Sequence, residues 1–382
     1  MNLFGLPFLA VVGAAAVGVP ATTWWLWLRW PRRTIAAGRV LSLSAVMVVG
    51  ALLAGTLINR QFGLYASLGD LTGDIRASAP VRAQTGKAPS GLLIYTRNWQ
   101  QLGQHAQSRG HGIVVRVRFD GPTSGITRAG LLYIPAAYFI DRGLALPVIE
   151  LFAGHPGRPT NYVKQLHIGL LLDREIAARR MPPVLAALPA TYQGRASECV
   201  DAVRGERDET YLTRDVPADL RLMFRVPPGP SYGALGYSEG GFCAVNLALH
   251  HPERYAAAAS LSGYFEAGID TGTGPGSVYR GDRAAVDVNS PRWWVSHRSP
   301  RRPALFLMAS AGDRASVDED RRLASAARTR APRLPVVVTQ LPAGGHNFGT
   351  WSQSLPAALD FLATHLPVPL APPLRLPLDP QL

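Results

Sequence analysis

The chain has 382 residues, 47% of them hydrophobic, enough for two domains and a sizeable core. Its formal charge is +13, and apart from Lys87 and Lys164 every positive side chain is arginine. No basic run exceeds three residues and no strand interleaves aromatics with arginine, so no nucleic-acid partner is expected.

Residues 3–28 and 40–59 carry no charged side chain. Each run reaches the roughly 20 residues that a membrane-crossing helix needs. A cleaved signal peptide fits poorly, because no positive segment precedes the first run and "TTWWLWLRW" ends it with aromatics instead of small residues. Arg29, Arg32, Arg33 and Arg39 lie between the runs. Positive loops stay cytoplasmic, so residues 1–60 are expected to form a two-helix anchor, with the N-terminus and everything after Arg60 outside the cell membrane. An oxidising location permits a bridge between Cys199 and Cys243, the only two cysteines; two buried free thiols are the alternative.

Residues 61–87 are weakly periodic and read as a linker. Apolar, β-rich segments then recur at 91–95, 113–119, 130–134, 147–152, 183–189, 232–237, 256–261, 304–309 and 335–341. From the fourth onward they alternate with helical patterns at 161–180, 217–224, 239–250, 317–330 and 351–365. This alternation predicts an α/β fold, a mostly parallel sheet with helices on both faces, over residues 88–366. The helix-free stretch 91–134 predicts an antiparallel start to the sheet. The helical stretch before residue 232 is expected to help cap a pocket, and the proline-spaced segment 367–382 reads as an extended tail.

The most specific motif is Gly236-Tyr237-Ser238-Glu239-Gly240, set between an apolar strand and an amphipathic helix. In that context Gly-x-Ser-x-Gly is the nucleophile elbow of α/β-hydrolases: glycines allow the close turn, and serine is thrust above the sheet edge. The following helix would aim the Glu239 backbone N–H at a developing oxyanion. The Glu239 carboxylate itself is expected to be solvated in the first helical turn.

A serine hydroxyl needs a base, and the base needs an orienting acid, in the chain order Ser, acid, His. Five histidines follow Ser238. His250 and His251 close the elbow helix, His297 reads as part of an arginine-rich loop, and His365 ends the last helix. His346, in "LPAGGHNFGTW", stands in a glycine turn between strand and helix and is the expected base. Asp313, just past the buried segment "ALFLMAS", is the expected acid, with Asp287 a distant reserve. Asp318, Glu319 and Asp320 read as an exposed face with Arg321 and Arg322. The second oxyanion donor is expected in "ELFAGHPG", from the backbone N–H of His155.

Three stretches, "GYSEGGFCAVNLALHHPERYAAAASLSGYF", "MASAGDRAS" and "GGHNFGTWSQSLPAALDFL", together resemble the putative-esterase family that includes esterase D and the antigen 85 mycolyltransferases. The resemblance covers about residues 88–366. It implies an α/β-hydrolase acting on acyl esters without metal or organic cofactor, with Ser238 as nucleophile, Asp313 as acid, His346 as base and the His155 turn as oxyanion loop. The mycolyltransferases usually have Asp-Gly where this chain has Ala153-Gly154, and commonly use glutamate as the acid. Those departures favour a membrane-tethered esterase on the outer face. The alternatives are an acyltransferase moving an acyl group to a sugar or lipid hydroxyl, and a non-catalytic membrane-anchored binding protein. No metal-ligand spacing and no dinucleotide fingerprint occurs.

Overall fold

The computed structural model describes residues 6–29, 35–62, 93–95, 99–191 and 195–369. The chain divides into two compact units, Met1–Arg76 and Ala77–Leu382. The expected linker, beyond residue 62, and the proline-rich tail, beyond residue 369, lie outside the described residues.

The first unit holds α1 (Leu6–Arg29) and α2 (Ile35–Phe62). Within them, Pro7–Arg29 and Ala37–Ile58 are long and apolar enough to cross a membrane, and neither is buried inside the protein. At about 1.5 Å per residue each spans roughly 33 Å, close to the thickness of a bilayer's hydrocarbon core. The helices touch. Trp27 Nε1 donates to Ser42 Oγ at 2.8 Å, and the Arg39 guanidinium lies 5.3 Å from the Trp27 ring centre.

The second unit is built on one nine-stranded sheet. Its strands are β1 (Leu93–Tyr95), β2 (Ile113–Asp120), β3 (Thr127–Ile134), β4 (Val148–Phe152), β5 (Leu185–Pro189), β6 (Tyr232–Tyr237), β7 (Tyr255–Leu261), β8 (Ala304–Ser310) and β9 (Val336–Leu341). They run in the order β1-β2-β3-β5-β4-β6-β7-β8-β9. The β1–β2, β2–β3 and β3–β5 pairs are antiparallel and all the others parallel, so the antiparallel start is present.

The helices of the second unit include α3 (Trp99–Arg109), α4 (Ala136–Ile140), α5 (Pro159–Lys164), α6 (Ile168–Ala177), α7 (Val216–Met223), α8 (Glu239–His250), α9 (Arg283–Val288), α10 (Pro291–Arg298), α11 (Arg314–Arg330) and α12 (Phe348–His365), with a short helical turn at Asp208–Thr210 and a π-helix at Tyr211–Asp215 leading into α7. Because side chains alternate along a strand, the parallel strands feed two cores. Val148 and Phe152 of β4 join Val245 of α8, Val295 of α10 and Leu323 of α11 on one face. Ile149 and Leu151 join Leu172 of α6 and Leu355 and Leu359 of α12 on the other. Burial on both faces explains why these strands read as continuous apolar runs.

Four expectations need correction. The stretch 91–134 contains α3, "WQQLGQHAQSR", whose described inward residues are Leu102, Gly103 and Ala106, too thin a stripe to stand out as a period. The helix expected over 161–180 is two helices, broken where His167 takes the left-handed conformation at φ 49°. His297 lies on α10 rather than in a loop. The helical stretch before residue 232, which includes α7, is no cap. Leu212, Val216 and Leu220 are core residues with Val117 and Phe119, while Asp219 accepts from the Asp120 N–H and Asp215 from those of Thr123 and Ser124.

Candidate active site

Ser238 separates β6 from α8 with φ 56° and ψ −127°, a conformation that side-chain-bearing residues adopt at a cost of about 1–3 kcal/mol. The neighbouring glycines leave the chain no alternative. A Cβ on Gly236 would lie 1.9 Å from the Gly240 carbonyl oxygen, and one on Gly240 would lie 2.0 Å from that of Phe152. The turn is closed so tightly that only hydrogens fit between β6, α8 and β4. Ser238 is thereby held at the carboxyl end of the sheet, beside the partial positive charge of the α8 N-terminus.

Two further loops meet it there. Asp313 follows β8 and caps α11, and His346 follows β9 and precedes the Asn347 cap of α12. The loops cross at glycines: a Cβ on Gly312 would come 2.0 Å from the Gly344 carbonyl oxygen. His346 Nε2 lies 2.8 Å from Ser238 Oγ, and His346 Nδ1 lies 2.8 Å from Asp313 Oδ2. With an ionised Asp313, Nδ1 carries the proton and Nε2 is left to accept from the serine hydroxyl. Burial pushes the Asp313 carboxyl up, but the hydrogen bond and charge of His346 outweigh it and hold it below the usual aspartate value. Trp351 presents its ring face-to-edge to His346, centres 5.2 Å apart, and stacks on Tyr237 at 4.4 Å.

The turn Ala153-Gly154-His155 leaves β4 and packs on the serine: a Cβ on Gly154 would lie 2.7 Å from Ser238 Cβ. On the opposite side, Glu239 opens α8, and a first-turn N–H has no acceptor within its helix. The His155 imidazole is lowered in pKa by burial, against the opposing pull of the Asp270 carboxylate. Asp270 also feels the charge of His346.

The Glu239 side chain overturns its expectation. It is buried, and its Oε1 accepts from the N–H groups of Ser197 (3.0 Å) and Glu198 (2.7 Å). Burial raises its pKa to about 8, despite those two hydrogen bonds. Glu198 is equally enclosed, accepting from Tyr264 Oη (2.9 Å), Tyr279 Oη (2.5 Å) and the N–H of Gly268. Cys199 and Cys243 are joined by a disulfide, with both residues fully buried and Cα atoms 5.5 Å apart. β5, the strand before Cys199, is separated from the elbow strand β6 by β4. Nor are Glu319 and Asp320 on an exposed face. Both are buried, and Glu319 Oε2 accepts from the Phe265 N–H at 3.0 Å. Asp287, the reserve acid, is on α9 with Arg283. Among the described residues no group of acidic, histidine or cysteine side chains is arranged to hold a metal.

A mostly parallel sheet with a strained serine at a strand–helix elbow, hydrogen-bonded to a histidine and through it to an aspartate, defines the α/β-hydrolase class. Residues 125–362 match the family described as Putative esterase, and the chain belongs to that family. An uncharacterized protein of Corynebacterium glutamicum is 26% identical over 268 residues, 66% of this chain and 62% of that protein. This chain thus spans less than two thirds of that relative's length. Among solved structures, a ferulic acid esterase superposes with a TM-score of 0.59 at 19% identity, covering 66% of this chain and 98% of that one. An S-formylglutathione hydrolase from Agrobacterium tumefaciens gives 0.58 at 16% identity, covering 68% and 97%. At such identities the superpositions speak for the fold.

Proposed function

We propose that this protein is a membrane-anchored serine esterase that cleaves carboxylic esters on the outer side of the membrane. The observation that carries the reading is the unbroken run from Ser238 Oγ through His346 to Asp313, both contacts 2.8 Å. Ser238 Oγ attacks the ester carbonyl carbon while His346 Nε2 takes its proton, and Asp313 stabilises the resulting imidazolium. The charge on the former carbonyl oxygen is met by the N–H groups of Glu239 and His155. His346 then protonates the departing alkoxide, leaving an acyl-enzyme on Ser238. Water, deprotonated by His346, releases the acid and restores the serine.

The N-terminal helices supply the anchor. Arg29, Arg32, Arg33 and Arg39 between the two apolar runs favour a cytoplasmic connection, which puts the hydrolase unit outside. Protease applied to right-side-out vesicles should digest residues beyond 76 and spare them in inverted ones; the opposite pattern would reverse the orientation.

Fluorophosphonate labelling tests the chemistry. The wild type should be labelled at Ser238 and hydrolyse p-nitrophenyl esters, and Ser238→Ala should lose the label and on the order of 10³-fold or more in turnover. Labelling that persists at another serine in the folded variant would sink the assignment.

A further inference from the structure

Six arginines gather on one rim of the hydrolase unit. Arg298 ends α10, Arg301 and Arg302 lie between α10 and β8, Arg328 and Arg330 end α11, and Arg333 lies between α11 and β9. All six are exposed. The two stretches are tied together where Ser299 Oγ donates to the Arg330 carbonyl at 2.8 Å, above a shared core of Val295, Leu323, Ala327 and Leu334. Among the described residues no carboxylate pairs with any of the six. The ion pairs of α11 lie nearer its start, Arg322 with Glu319 at 2.8 Å and Arg321 with Asp318 at 3.7 Å.

The helix dipole accounts for arginines in the last turns of α10 and α11. It does not account for Arg301, Arg302 and Arg333, which lie outside both helices. Beside Arg328 opens a cavity of about 250 Å³ lined by Ala324, Ala327, Pro332, Leu334 and Val338. Val337 and Val338 stand 44% and 43% exposed on β9, the last strand of the sheet. Arg298 lies 5.4 Å from the Trp294 ring centre, and none of the six has a carboxylate partner among the described residues. Cations so placed around an apolar cleft match the layered chemistry of a bilayer surface, phosphate outside and acyl chain beneath.

We propose that this rim docks on the surface of an anionic phospholipid bilayer, its guanidinium groups on headgroup phosphates and the apolar cleft at the acyl boundary. The proposal rests on the membrane reading above for the presence of a bilayer. It also carries a consequence for the substrate. The arginines occupy the amino ends of β8 and β9, whereas Ser238, Asp313 and His346 follow the carboxyl ends of β6, β8 and β9. Strands of six and seven residues separate the two rims by roughly 20 Å at about 3.3 Å per residue. With the arginine rim on lipid, the serine faces away from that bilayer, and its ester comes from the aqueous layer above.

The full chain reconstituted in phosphatidylcholine nanodiscs, with and without phosphatidylglycerol, tests this through amide exchange of residues 298–303 and 328–335. Exchange there should slow in the phosphatidylglycerol discs alone, by about fivefold or more, the effect of one arginine at an anionic surface. The combined variant Arg301→Glu, Arg302→Glu and Arg333→Glu should lose this protection while keeping its thermal midpoint. Equal exchange in both discs would overturn the proposal. So would protection by soluble polyphosphate in phosphatidylcholine discs, which would make the partner a free polyanion. Should the chain fail to enter either disc, the anchoring reading falls, and flotation decides the patch separately: rising with phosphatidylglycerol liposomes upholds it, and remaining below overturns it.

Discussion

Gly154 packs so closely on Ser238 that a methyl group at its Cα would meet the serine Cβ at 2.7 Å. The contact brings the turn after β4 against Ser238, the proposed nucleophile, where an oxyanion would form. Gly154→Ala should therefore displace that turn and lower kcat by about 10²–10³, the loss typical of removing one oxyanion donor, with substrate binding affected less. Wild-type turnover in this variant would remove the turn from the proposed mechanism.

Asp313 offers a separation of chemistry from folding. Its side chain caps α11, a role that asparagine fills equally well, so Asp313→Asn should hold the thermal midpoint near that of the wild type. Asparagine cannot hold His346 in the required tautomer, and kcat should fall by about 10³–10⁴. Steady-state kinetics beside thermal unfolding reads both, and a variant of near-normal kcat would shift the acid's role elsewhere.

Glu239 predicts how stability depends on pH. Burial raises its folded pKa to about 8, against an ordinary value of 4.5. Between those values the folded state holds a proton that the unfolded state has released, so this group's contribution falls as pH rises and levels off above about 8. Denaturant unfolding of Glu239→Gln should show a shallower loss of stability over that window than the wild type. Parallel curves would mean that Glu239 does not titrate there. Glu150 (about 7), Asp320 (about 8) and Asp208 (about 6), all buried and raised, contribute to the slope that remains.

The disulfide spans 44 residues, and its Cys199 follows Ser197 and Glu198, whose N–H groups hold the Glu239 carboxylate. The chain-entropy model assigns such a loop roughly 4 kcal/mol. Replacing both cysteines by alanine should lower the thermal midpoint by several degrees, and esterase activity should fall with the loosening of the Glu239 contact. Mass spectrometry of non-reduced peptides tests the bond directly; two free thiols would remove it.

Strands β2 to β8 were legible because burial on both faces, or alternation on one, writes a strand directly into the order of residues, whereas the mostly exposed β9 was legible from its β-branched run Val336-Val337-Val338-Thr339. The elbow was legible for a related reason. Gly236 and Gly240 have backbone carbonyls where a Cβ would stand, so local packing restricts what the chain can place there. Helix α3 was not, since a stripe of Leu102, Gly103 and Ala106 is too thin to make a period.

The sequence by itself determined the apolar helices, the alternation of strand and helix, and the residue types at the ends of β6, β8 and β9, since each depends on neighbours within about a dozen positions. Only the tertiary structure decided that Glu239, Glu319 and Asp320 are buried, that β4 separates β5 from β6, and that six arginines form one rim. Burial of a charge depends on which distant segment covers it. Glu239 is covered by Ser197 and Glu198, about forty positions earlier in the chain, and no periodicity within α8 encodes that meeting.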